Sequence, residues 1–182
     1  MIKTARLNLR PMEKTDIDGL HRIFSDENVL RAFGLDSFSR EQMTRWLERN
    51  LEHQLRYGYG LWAVMLKSSG ELIGDCGLEN SEFKGRPCIE LGYDFLSSHW
   101  NRGYATEAAG AVRDEAVQKL RIGLDSLCSF IRSGNAASQR ISEKIGMRRL
   151  RGFRRYDTDY SLYAFSGKLA AIPDGRSGSA GG

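Results

Sequence analysis

Cysteine is scarce. The chain of 182 residues holds three, Cys76, Cys88 and Cys128. An odd number with no CxxC pair supplies neither a disulfide framework nor zinc-ligand spacing. His21, His53 and His99 are too scattered to add ligand spacing of their own, so no metal is expected. Long apolar runs are missing as well: none approaches the ~18 residues of a membrane span, and Met1 to Arg6 has no apolar signal core. These absences predict a soluble protein of a reducing cytoplasm with no membrane partner. Charge of a single sign is also lacking, since 27 Lys and Arg face 23 Asp and Glu for a net of +4. So mild an excess admits an anionic ligand or an RNA surface without establishing either. There is no internal repeat, no Walker GxxxxGK[ST] loop and no GxGxxG, so neither a nucleotide triphosphatase nor a nicotinamide enzyme is indicated.

What is present reads as one ordinary globular domain, 41% hydrophobic and 27% charged. At this length a chain buries roughly 70% of its unfolded surface, so the core needs no covalent staple. From Ser166 to Gly182 lie five glycines, three serines and one proline with few large apolar groups. Such a composition cannot offset ordering entropy, which predicts a domain over residues 2–166 and a flexible Gly/Ser-rich tail over 167–182.

Within the domain, Arg6 to Arg10 alternates and stops at Pro11 as a short strand does. Ile17, Leu20, Ile23 and Phe24 fall at helical spacing, and Ser39 with Gln42 forms a capping box before the stripe Met43, Trp46, Leu47, Leu51 and Leu55. Two apolar runs, Leu61 to Leu66 and Leu72 to Leu78, read as a hairpin across Lys67-Ser68-Ser69-Gly70, and Cys88 to Leu96 extends it. Alternation puts Ile89, Leu91, Tyr93 and Phe95 on one face of that third strand and Glu90, Gly92 and Asp94 on the other. A small-faced helix follows from Tyr104 to Leu120, then a strand, a helix closed by Gly146 and two final strands. The expected class is α/β (α+β): a single domain with a mixed, mostly antiparallel sheet of about seven strands and four helices on its faces.

The segment richest in chemistry is Trp100-Asn101-Arg102-Gly103-Tyr104-Ala105-Thr106-Glu107-Ala108, a glycine-bearing turn between strand and helix. Such a junction points unpaired amides and the positive end of the helix dipole at one spot, which suits a phosphate. Gly103 permits close approach, Ala105 keeps the way clear and Thr106 can add a hydroxyl. On its own the pattern also fits a simple tight turn.

Four ordered blocks carry more. Thr4-Ala5-Arg6-Leu7-Asn8-Leu9-Arg10-Pro11, Ile89-Glu90-Leu91-Gly92-Tyr93, the loop just described, and Asn135-Ala136-Ala137-Ser138 through Glu143-Lys144-Ile145-Gly146-Met147 together resemble the GNAT acetyltransferase superfamily, in its RimJ/RimL-like branch. The superfamily's pyrophosphate motif is Gln/Arg-x-x-Gly-x-Gly/Ala, and Trp100 at its first position is typical of this branch. The resemblance, spanning about residues 2 to 166, implies a sheet splayed at a cofactor cleft and acetyl-CoA as co-substrate. It places the pantetheine arm along Phe95, Leu96 and Ser97, the pyrophosphate on the amides of Arg102, Gly103, Tyr104, Ala105, Thr106 and Glu107, and Asn135 with Ser138 on the far wall. It implies an amine acceptor, either a protein N-terminus or a small molecule, with a ribosomal surface among the possible partners and a monomer or homodimer as the assembly.

An α-amino group of pKa near ~7.8 is about one tenth neutral at pH 7, and a lysine amine near ~10.4 far less, so a base matters. Glu90, mid-strand before the loop, is the preferred base, acting through water; the plainer reading is an exposed or ion-paired carboxylate on a sheet face. Ser138 can serve the cofactor sulfur, or merely be first-turn polarity beneath an Asn135 N-cap. Tyr160 and Tyr163 are less specific candidates for that role, and Glu107 also reads as scaffold in the first turn of its helix. Arg148, Arg149, Arg151, Arg154 and Arg155 form either a solvated rim or a contact for an acidic substrate, RNA or the cofactor's outer phosphate. A non-catalytic acyl-CoA- or RNA-binding module on the same fold is the alternative function.

Overall fold

Hairpins and capped helices alternate along the chain as the local signals require. The computed structural model describes residues 1–155 and 157–169. In order, its elements are β1 (Ile2–Lys3), β2 (Leu7–Pro11), α1 (Ile17–Phe24), α2 (Glu27–Phe33), α3 (Arg40–Tyr57), β3 (Leu61–Leu66), β4 (Leu72–Phe83), β5 (Arg86–Phe95), α4 (Tyr104–Gln118), β6 (Leu127–Arg132), α5 (Ala136–Lys144), β7 (Arg148–Arg155) and β8 (Thr158–Ala164). One sheet of eight strands results, ordered β1-β2-β3-β4-β5-β6-β8-β7.

The expected class holds, with two elements more than the alternation predicts. β1 pairs through two rungs, Ile2 with Leu9 and Lys3 with Asn8, and a two-residue strand has no period to detect. α2 is a short helix pressed against the end of α1. Asp26 caps it by accepting from the Asn28 and Val29 amides, and Gly34 ends it in the left-handed region. The expected tail begins with a helical turn over Gly167–Leu169, in which Leu169 is buried, and residues 170–182 lie outside the described residues.

The two faces are covered differently. On one, α4 lays the fully buried Ala108, Ala109, Val112 and Ala116 against a core that includes Val64, Ile73, Leu78 and Leu91. Small residues let the helix axis approach the sheet, while each large buried aliphatic contributes about 1.5–3 kcal/mol. On the other face, α1 and α3 bring Leu20, Ile23, Met43 and Leu47 onto Leu61 and Ala63. The β3–β4 contact is equally close, since a Cβ on Gly77 would collide with the Gly60 carbonyl oxygen.

The site follows from one irregular pairing. β4 and β5 share ten antiparallel rungs, from Gly74 with Phe95 to Phe83 with Arg86. β5 and β6, the parallel pair, share two, Ile89 with Leu127 and Glu90 with Cys128. Past Glu90 the strands part, held at the vertex by the Ser129 hydroxyl, which donates to the Leu91 carbonyl at 2.6 Å. A wedge opens between the last residues of β5 and those of β6.

Candidate active site

The wedge is a cleft of about 1070 Å³. Tyr93, Asp94 and Phe95 line one wall, Gly103 to Thr106 the mouth, and Arg132, Asn135, Ser138 and Ile141 the other wall. At the mouth, Gly103 holds φ at +79° and caps α4 without any side-chain acceptor, leaving the first-turn amides for a ligand. The Glu107 amide, in contrast, already donates to the Gly103 carbonyl at 3.0 Å.

A lattice of bonds from the N-terminal segment fixes that loop. The Glu107 carboxylate accepts from the Thr4 hydroxyl at 2.6 Å, the Arg6 amide at 2.8 Å and Arg6 Nε at 2.7 Å. Burial opposes its charge, but these bonds outweigh it and hold the carboxyl below its ordinary pKa. Arg6 also donates to the Arg102 carbonyl at 2.8 Å and stacks over the Tyr104 ring at 4.4 Å. Glu107 is therefore occupied in holding the loop.

Of the residues singled out for the cofactor, Phe95, Gly103, Tyr104, Ala105, Thr106, Asn135 and Ser138 line the cleft, whereas Leu96, Ser97, Arg102 and Glu107 are not among its lining residues. The Leu96 amide donates to the Ile73 carbonyl, and Trp100 Nε1 donates to the Phe95 carbonyl at 2.7 Å. Ser97 donates its hydroxyl to Asp26 at 2.6 Å, tying the strand end to α2. Arg132 reaches from β6 to the Phe33 carbonyl and anchors the other end of α2 over the cleft. Asn135 accepts from the Ser138 amide at 3.0 Å as the N-cap of α5. The Ser138 carbonyl accepts from the Tyr93 hydroxyl at 2.8 Å, and Ser142 Oγ lies 3.2 Å from the same hydroxyl. Burial pushes the Tyr93 phenol well above its usual pKa.

The face of β5 turned toward α1 and α3 carries a ladder of acids. Register sets Asp75 opposite Asp94, Gly77 opposite Gly92 and Glu79 opposite Glu90. Burial first, then the charge of Glu79, pushes Glu90 up to about 7, although the Phe130 backbone, the Ser81 hydroxyl and Arg155 favour its charged form. Asp94 is likewise pushed up to about 7, by burial and by Glu79 and Glu90. Glu79 is raised by burial against the opposing charge of His53 and Arg49. Asp75 is 0% exposed, and among the described residues neither of its carboxylate oxygens has a hydrogen-bond partner. Its pKa is driven well up by burial and by Asp94 and Glu79. Glu90 does not line the cleft itself; it sits at the last rung before the split, while Asp94 lines it.

Sequence reasoning missed Asp75, Glu79, Asp94 and Tyr93 as site residues. Alternation did put Asp94 beside Glu90, but Asp75 sat inside an apolar run, and cross-strand register is needed to bring the four acids together. The arginine group disperses over the edge strand β7: Arg149 bonds the Ser161 hydroxyl at 2.9 Å, Arg154 pairs with Asp157, and Arg155 lies over the rings of Phe130 and Phe153. Tyr163 donates to Glu143 at 3.3 Å, and Tyr160 stacks on Phe153. Among the described residues no group of three or more His, Cys, Asp or Glu has metal-binding geometry, and no helix is long and apolar enough to cross a membrane.

A sheet split at its parallel β5–β6 pair, with an open helix start at the mouth and buried acids on the β4–β5 side of the split, makes a cleft suited to a phosphate-bearing ligand beside titratable carboxyls. The comparison with known proteins narrows this. The family model described as an acetyltransferase (GNAT) domain matches residues 6–148, and the chain belongs to the GNAT family of N-acetyltransferases. YkkB, an uncharacterised protein of Bacillus subtilis, is 33% identical over 162 residues, covering 88% of this chain and 92% of its own. The GNAT-family acetyltransferase from Bacillus anthracis superposes with a TM-score of 0.74 at 26% identity, over 90% of this chain and 96% of that one. The ribosomal L7/L12 α-N-protein acetyltransferase RimL, solved with coenzyme A, superposes at 0.69 and 18% identity over 88% and 94%, a likeness of fold that does not assign the branch.

Proposed function

We propose that the protein moves the acetyl group of acetyl-CoA to a primary amine by direct attack within a ternary complex, in the cytoplasm, with Glu90 as base. The observation that carries this reading is the position of Glu90: on the face turned toward α1 and α3, at the last β5–β6 rung, with a pKa pushed up to about 7. A base poised near the working pH can both accept a proton and remain partly ionised. The family, together with a Salmonella typhimurium relative solved with its cofactor acetyl-CoA, supports the choice of donor.

In this reading the phosphates rest on the open amides from Gly103 to Thr106, and the pantetheine arm runs down the wedge between Tyr93–Phe95 and Asn135–Ser138. The thioester then reaches the vertex, where the amine meets it from the α1/α3 side. The amine nitrogen bonds the thioester carbon, its proton passes through water to Glu90, and the carbon–sulfur bond breaks to release CoA as the thiolate, which takes a proton from Ser138 or solvent water. With a thiol pKa of roughly 8.5 the leaving group needs little help, and in this reading Ser138, in the first turn of α5, gives it. Cys88 is buried and lies beside Cys128, with no histidine partner among the described residues, so a covalent acetyl-thiol intermediate is not invoked.

The acceptor is a protein N-terminal amine or a small-molecule amine, and a ribosomal acceptor rests on the RimJ/RimL-like resemblance. CoA release with acetyl-CoA and a panel of amines, with the products weighed by mass spectrometry, tests the reading. Stoichiometric CoA and acetylamide are expected. Saturable acetyl-CoA binding without transfer to any amine overturns it in favour of a non-catalytic acyl-CoA-binding module.

A further inference from the structure

The acid ladder does more than supply one base. Like charges directly opposite each other across two strands destabilise a sheet, and an orphaned buried carboxyl costs more. Among the described residues neither Asp75 nor Asp94 has an ion-pair partner; the charges acting on Asp94 are those of Glu79 and Glu90, and on Asp75 those of Asp94 and Glu79. The cations the fold does provide, Arg49 and Arg155, stand by Glu79 and Glu90 at the other rung. The Asp75–Asp94 rung is left acidic, and Asp94 opens it to the cleft.

Between the rungs the floor is bare. Gly92 lies midway between Glu90 and Asp94 on this face, and a Cβ there would meet just Leu61 Cδ2, at 3.9 Å. A strand rises ~3.3 Å per residue, so Gly92 is roughly 7 Å from each acid along β5. An amine resting on Gly92 is next to the vertex of the wedge, with Glu90 on one side and Asp94 on the other.

We propose that the acceptor is a linear diamine or polyamine, whose reacting nitrogen lies over Gly92 and whose second ammonium is held by Asp94, with Asp75 behind it as a positioning residue. This rests on the acetyl-transfer reading above and names its substrate class. The roughly 7 Å from Gly92 to Asp94 corresponds to a spacer of about four to six methylenes at standard bond lengths. A second ammonium supplies the counter-charge that the chain withholds from Asp75 and Asp94. A neutral peptide N-terminus or a simple alkylamine leaves that rung uncompensated.

The test compares hexamethylenediamine with n-hexylamine and a neutral alanine-rich peptide as acceptors in the CoA-release assay. One charge-assisted hydrogen bond predicts kcat/KM about 10- to 100-fold higher for the diamine, an advantage that Asp94→Asn removes and Asp75→Asn reduces. The advantage is read on the unaltered enzyme, so misfolding of either variant leaves the test decisive. Calorimetry in two buffers of different ionisation enthalpy adds a second readout: diamine binding should release protons from the ladder. If amines are acetylated but the diamine has no advantage, the proposal is overturned and the transfer reading stands. If no amine is acetylated, the transfer reading fails, and calorimetry decides this proposal: proton-releasing diamine binding supports a dication site, and no binding overturns it.

Discussion

Replacing Glu90 by glutamine keeps the shape of the side chain and removes both its basicity and its charge, so activity and stability should move in opposite directions. For activity, losing a positioned base lowers turnover about 10²- to 10⁴-fold. Burial pushes the group up to about 7, so kcat/KM counted per neutral amine should, in the unaltered enzyme, fall tenfold per pH unit well below that value and level off above it. Glu90→Gln should flatten this acidic limb.

For stability the sign is the reverse. The folded-state pKa of about 7 stands above the ordinary 4.5, so the native state binds the proton more tightly than the unfolded chain. Its contribution is fully present below about pH 4.5 and is lost as pH rises through 7. The shift corresponds to up to about 3 kcal/mol at pH 8. Glu79 from β4 and Arg155 from β7 face the same group, and burial is the larger cause. Urea unfolding near pH 5 and near pH 8 therefore should show Glu90→Gln equal to the unaltered protein when acidic and more stable when basic. An unchanged pH–rate profile would discard Glu90 as base, and equal stability at both pH values would show that its charge is not penalised by burial.

Gly103→Ala forces a side chain into φ +79°, where Arg6 Nη2 lies 3.4 Å from the new Cβ; a stability loss of about 1–2 kcal/mol and a raised KM for acetyl-CoA are expected by unfolding and steady-state kinetics. Arg6→Ala cuts the bonds to Glu107 and to the Arg102 carbonyl. Its signature is a severalfold rise in KM for acetyl-CoA with kcat held, and a fall in kcat alone would refute the scaffold role. Ser138→Ala should lower kcat if the serine protonates the thiolate, most visibly at high pH, and a normal rate eliminates it. Tyr93→Phe removes the bond to the Ser138 carbonyl and should cost about 1 kcal/mol, read by denaturant unfolding; a kcat loss larger than that of Ser138→Ala would move the acid role to the tyrosine.

Much of this molecule could be read before its coordinates. The Ser39 capping box starts α3 where the signal puts it, and the Gly103 turn opens α4 as its residues require. Alternation in β5 set Glu90 and Asp94 on one face, and their shared register with β4 agrees. α2 escaped because it is seven residues long, although its Asp26 cap and Gly34 stop were both in view. β1 escaped because two residues carry no period.

Asp75 escaped for a different reason, and that reason bears on function. In a single strand, one acid among Leu72, Ile73, Cys76 and Leu78 reads as an interruption of an apolar run. Its meaning appears once β4 folds onto β5 and register sets it opposite Asp94, a contact between residues far apart in sequence. Folding stability alone selects against that pairing, since Asp75 is 0% exposed, has no hydrogen-bond partner among the described residues and faces another acid. Groups that a fold holds at a cost to its own stability cluster where chemistry or binding uses them. The wedge itself has the same character: β5 and β6 give up their pairing after Glu90 and Cys128, leaving backbone for a ligand to meet. Both departures border Gly92, the acids on its face of β4 and β5 and the wedge along the edge of β5 that faces β6. A donor filling the wedge and a cation resting on the acids would thus meet at one place, the vertex marked by the Ser129 bond to Leu91.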